Sequence, residues 1–177
     1  QLHDMTILRA GGVFLGLLGC MNYPSSKSRD GVRQHVELAW SPDSLEWHRV
    51  APGEAFIGPT DAEERKFGAM PYDWGAIFAS QPVFLENEVR IYYGASDWYF
   101  FDWRKGHLAL ATLRPDGWAG YAAVDPERNA VVVTTPLLDP SSRIEIPRTS
   151  TRKAGCCWRS RTLGVARSQR AKSTVGR

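Results

Sequence analysis

The chain has 177 residues, 43% hydrophobic and 23% charged, close to the globular average, which excludes wholesale disorder. No run reaches the ~20 apolar residues of a membrane-spanning helix. The net charge of +3 divides unevenly: Arg148 to Arg177 holds nine Lys or Arg and no acid, leaving 13 basic against 19 acidic residues in 1–147, so nothing in the body points to a specific nucleic-acid site.

In chain order, "MTILRAGGVFLGL" (5–17) is an apolar run, a Gly-Gly turn and a second apolar run, which is a hairpin signal. It aligns without a gap on "QPVFLENEVRIYY" (81–93), with Ile7 on Val83, Leu8 on Phe84, Val13 on Val89 and Leu15 on Ile91. Asn87-Glu88 takes the place of Gly11-Gly12, where positive φ is tolerated. "ELAWSPDSLEW" (37–47) and "LALATLRPDGW" (108–118) form a second related pair, each a strand, a Pro-Asp turn and a Trp. In each, the Asp is expected to shape the turn and the Trp to fill core.

Each unit therefore predicts four strands in roughly 75 residues. They are 3–9, 13–20, 34–41 and 45–50 in the first unit, and 76–85, 88–94, 107–113 and 117–124 in the second. A four-stranded antiparallel unit at fixed period is the pattern of a β-propeller blade, making the chain all-β. Up-and-down connection gathers the long loops 21–33, 51–75 and 95–106 at one end, where a binding site belongs, and the tight turns at the other.

With the units in place, "YDWGAIFASQPVFLENEVRIYYG" (72–94) resembles the D-x-G…(Y/F)-A-x-Q blade segment of glycoside hydrolase family 32, the invertase and fructanase group, through Asp73, Gly75, Phe78, Ala79 and Gln81. "SPDSLEW" resembles the S-x-D-G-x-x-W turn of these propellers, with Ser44 in place of Gly. The resemblance covers about residues 1–135 and implies part of a five-bladed, carbohydrate-handling propeller, related to family 43 and often followed by a C-terminal β-sandwich. Such enzymes work with two carboxylates, one attacking and one donating a proton. No N-D-P-N-G-like, R-D-P-like or E-C-like motif is present, so the catalytic groups are expected before residue 1. The alternatives are a non-catalytic carbohydrate-binding or structural propeller, and a sialidase-type propeller, whose Asp-box would need Trp47 one residue later.

The substrate-binding candidates lie in the loops. Asp73 precedes an inner strand and is a candidate hydroxyl-binding carboxylate or a loop-capping one. "SDWYFFDWRKGH" (96–107) is the most aromatic stretch. Trp98, ahead of Trp103, is the expected sugar-stacking platform, with Asp97 and Asp102 as hydroxyl acceptors. Most aromatics of this stretch are expected to plug the gap between units. Glu86 and Glu88 fall at the opposite end, and Asp4 falls inside a strand.

Cys20, Cys156 and Cys157 make neither a zinc pattern nor a disulfide framework. His35, His48 and His107 lack metal-ligand spacing. No metal and no cofactor is expected, and the expected partner is carbohydrate. The expected organisation is an incomplete blade at 1–50, a blade at 51–127, a sandwich start or closing strands at 128–147, and a basic tail at 148–177. That tail resembles the family nowhere and reads as a disordered arm or a frameshifted stretch. "MTILRAGGVFLGLLGC" also mimics a lipoprotein signal ending at Cys20, but the alignment with 81–93 explains the same apolar residues as strands.

Overall fold

The computed structural model describes residues 1–25, 28–122, 124–125, 128 and 131–133, and the backbone of 157–162 and 165–170. The chain divides into two compact units, residues 1–123 and 124–177.

The first unit contains β1 (Leu2–Ala10), β2 (Val13–Asn22), β3 (Arg33–Ser41), β4 (His48–Arg49), β5 (Ala76–Ala79), β6 (Val83–Phe84), β7 (Val89–Ser96) and β8 (Gly106–Leu113). They form one sheet, antiparallel except for a single parallel pair, Gln34 with Ala76, where β3 meets β5. The sheet curls into a half-barrel, and no helix occurs among the described residues.

Local chemistry explains the strand ends. Gly11, at φ +59°, closes the two-residue β1–β2 turn. In the "SPDSLEW" turn the Asp43 carboxylate accepts the Leu45 and Glu46 N–H groups (2.8 and 3.0 Å), and Ser44 takes φ +68°. Those same bonds hold 45–47 in the turn, so the strand expected at 45–50 shrinks to β4. Beyond Val50 the chain bulges through Pro52 and Gly53 before Phe56 and Ile57 rejoin β3 at Val36. The strand expected at 76–85 breaks into β5 and β6 because Pro82 has no N–H to give the ladder. Asn87 stays out of the positive-φ region expected of it; the β6–β7 turn closes by Leu85 N–H to Glu88 O at 2.9 Å.

The strand expected at 117–124 is absent from its described residues, although Asp116 (φ +59°) makes the expected turn. Trp118 instead folds back on Phe56 and Phe84, and the Ala119-Gly120 pair that follows has little side chain to pack.

One side of the curled sheet makes the core: Leu8, Leu15, Leu17, Val36, Leu38, Ile77, Ile91 and Tyr93. Alternation along β2, β3 and β7 turns these residues to one face. Trp47 is half-buried over Gly16, where an added Cβ would stand 3.0 Å from its ring. The repeat-equivalent residues Leu15 and Ile91 share this one core, so the two meanders face each other with the same side. Propeller blades related by rotation would stack front to back.

In the second unit β9 (Cys157–Thr162) and β10 (Val165–Arg170) pair as an antiparallel hairpin, where the tail pattern suggested no regular structure. The expected sandwich start at 128–147 lies almost entirely outside the described residues.

Candidate ligand-binding site at the loop-rich end

The three long loops meet at Trp74, whose side chain is buried at the end of the 50–75 connection. Its indole N–H donates to Ala62 O at 3.0 Å, and its ring stacks on Trp98 at 5.7 Å and 30°. Arg33, at the start of β3, lies 4.3 Å over the same ring and donates from Nε to Trp74 O. Tyr99 sets its edge to Trp74 and donates its hydroxyl to Glu64, and the Phe100 N–H reaches Val32 O. Burial first, then the Glu64 bond, pushes the Tyr99 phenol up to about 12. Trp98, Tyr99 and Phe100 of the aromatic run thus fill the space between the loops, whereas the sequence pattern pointed to a plug between repeat units.

The candidate residues separate into two groups. Asp73 is 5% exposed and accepts the Thr60 N–H at 3.4 Å. It lies near Tyr93, whose phenol is pushed up by burial first, then by Tyr72 and more weakly by Asp73. Asp97 is equally buried; its carboxylate accepts the Lys105 N–H at 2.8 Å and closes the neck of the β7–β8 loop. Trp98 is half-buried, with one face against Trp74 and Phe67 set edge-on to it. These three residues hold the loops in place.

Asp102 and Trp103 are exposed at the tip of the same loop, Trp103 by 82%. They stand on a shallow cleft of about 590 Å³ with Arg104, His107 and Phe78. Asp102 is the one carboxylate among the described residues lining it. The open indole of the aromatic stretch is thus Trp103, where the sequence put Trp98 first. Side-chain order in the loop cannot be read from composition, because Trp98 is claimed by Trp74 from another loop.

A second cleft, about 490 Å³, opens between the end of β2 and the start of β3, with Asn22, Arg33, His35 and Asp61 among its lining residues. Behind it is a buried polar centre that sequence reading missed. Glu37, 1% exposed, accepts two bonds from Arg49 (2.7 and 2.6 Å), one from His35 (3.1 Å) and one from the Gly53 N–H (3.1 Å). Cys20 lies across the ladder from His35, and the Cys20, His35 and Glu37 ligand atoms fall within 4.8 Å of one another. This is metal-like composition, yet the Arg49 guanidinium already neutralises Glu37 at both oxygens. Burial, then Glu37, pushes the Cys20 thiol up to about 11, so it stays protonated. The centre is a satisfied ion pair inside the sheet. The signal that could have found it was His35 and Glu37 two apart in one strand, on one face.

Comparison with known protein families, with curated proteins and with solved structures finds no match to this chain, so the family-32 resemblance rests on its motifs alone.

Proposed function

We propose that the chain binds carbohydrate at the shallow cleft of the β7–β8 loop, with Trp103 as the stacking platform and Asp102 and Arg104 as hydroxyl partners. The observation that carries this reading is an indole left 82% exposed at the mouth of a cleft, beside a carboxylate and a guanidinium. A flat apolar ring with polar groups at its edge suits a sugar, whose C–H face and hydroxyl rim need both. On this reading the two meanders are blade-like units of the family-32 type. The division of long loops from tight turns supports that, and the shared core of Leu15 and Ile91 departs from it. The cleft offers one carboxylate among the described residues where glycoside hydrolysis needs two, which favours binding over turnover at this cleft.

Titration with fructosides and a panel of other oligosaccharides, followed by tryptophan fluorescence, tests this. A saturable change with at least one sugar, and no sugar released from aryl glycosides, sucrose or inulin, is the expected result. No saturable change with any of them would overturn it.

A further inference from the structure

We propose that the second cleft, between the end of β2 and the start of β3, binds a free α-amino acid, with the ligand's carboxylate on Arg33 and its ammonium group on Asp61. Both charged residues line this cleft of about 490 Å³, and Trp74 positions both. The Arg33 guanidinium lies 4.3 Å over the Trp74 ring and donates its Nε–H to Trp74 O at 2.8 Å. On the other side, the Trp74 indole N–H donates to Ala62 O, one residue after Asp61. The residue before Asp61 is also tied down, since the Thr60 N–H donates to Asp73.

The two charges are thus held in one cleft, yet they make no ion pair with each other. Among the described residues, no group bonds either Nη of Arg33 or the carboxylate of Asp61. Glu64, the other carboxylate that acts on Arg33, already accepts the Tyr99 hydroxyl. Glu37, behind the cleft, is neutralised by Arg49. Burial pulls the Arg33 guanidinium below its ordinary value, and Tyr99, Asp61 and Glu64 offset that only in part.

The chemistry of the occupant follows from these two groups. A guanidinium fixed through Nε, with its Nη fork open, matches a carboxylate in two parallel bonds. The exposed Asp61 carboxylate takes a cation. A simple anion would be repelled by Asp61 and a simple cation by Arg33, whereas a small zwitterion satisfies both. Tyr23, Pro24, Ala55 and Pro59 give the ligand's side chain apolar walls. The carbohydrate cleft shares none of these lining residues, so the two sites stand independently.

Calorimetric titration of the full chain with the standard amino acids tests this. The tightest binder is then compared with its amide, which lacks the carboxylate charge, and with its des-amino acid, which lacks the ammonium group. The expected result is saturable binding of at least one amino acid, weakened at least about tenfold in each analogue, as for a lost hydrogen bond between charged groups. Asp61→Asn should keep the wild-type urea midpoint, weaken the amino acid at least about tenfold and leave its des-amino acid no weaker than before. Arg33 also holds Trp74, so its contribution is read from the amide and not from a substitution. No saturable binding of any amino acid would overturn the proposal. So would an amide or des-amino acid that binds as tightly as its parent, or an affinity that Asp61→Asn leaves unchanged.

Discussion

Gly75 lies directly against the backbone of Trp98: a Cβ on residue 75 would stand 1.6 Å from the Trp98 carbonyl oxygen. The Gly75 N–H donates to Ser96 O and its carbonyl accepts the Gln34 N–H. This one residue therefore joins β3 to the start of β5 and to the end of β7. The Asp-x-Gly motif has a packing reason here, independent of any ligand. Gly75→Ala is expected to destabilise by about 3 kcal/mol or more, at or above the upper end of overpacking costs. Gly12→Ala, where an added Cβ meets nothing, should stay within ~0.5 kcal/mol. Urea unfolding of the two variants checks this; equal midpoints would show that β5 can shift away without loss.

Glu37 and Arg49 make stability depend on acid pH. Burial alone raises the Glu37 carboxyl, but the bonds from Arg49, His35 and Gly53 outweigh it and hold the group below its ordinary 4.5. A carboxyl lowered in the folded state adds stability above its unfolded value, and that stability drains as pH falls through the folded one. Wild-type urea midpoints should therefore drop below pH 4.5. Glu37→Gln should be less stable than wild type at neutral pH and should converge on it in acid. Parallel curves would exclude Glu37 as the group responsible.

Cys20 is expected to be chemically silent. Its thiol is raised by burial, then by Glu37, to about 11, and the thiolate is the reactive form. In a Cys156→Ser, Cys157→Ser background, a disulfide reagent at about pH 8 should label nothing until urea is added. Rapid native labelling would mean that this part of the sheet opens.

Much of the fold was legible because burial imposes a period of two. β1, β2, β3, β7 and β8 fall within about two residues of the strands read from apolar alternation. What could not be read depends on residues distant in sequence. The break at Pro82 is a local rule that the uninterrupted alignment of 81–93 hid. The meeting of β3 with β5 depends on Gly75 fitting under Trp98, and the loss of the strand after Asp116 depends on Trp118 finding Phe56. At the candidate site, the aromatic stretch is legible from composition, and its residues 97–105 form the β7–β8 loop. Which indole stays open was decided by Trp74, 24 residues upstream of Trp98. Cys20, His35, Glu37 and Arg49 come together only through the β2–β3–β4 register.

On the proposed reading, Trp103, and not Trp98, meets a sugar. The direct measurement is a fluorescence titration of Trp103→Ala and Trp98→Phe, beside wild type, with the tightest-binding oligosaccharide of the panel. Trp103→Ala should keep the wild-type urea midpoint and weaken binding at least about fivefold, if a sugar on the indole is worth at least the ~1 kcal/mol of a stacked base. Trp98→Phe should lower the midpoint through its contact with Trp74 and leave the affinity of the folded chain near wild type. Unchanged affinity in Trp103→Ala, or affinity lost in Trp98→Phe at an intact midpoint, would contradict the claim.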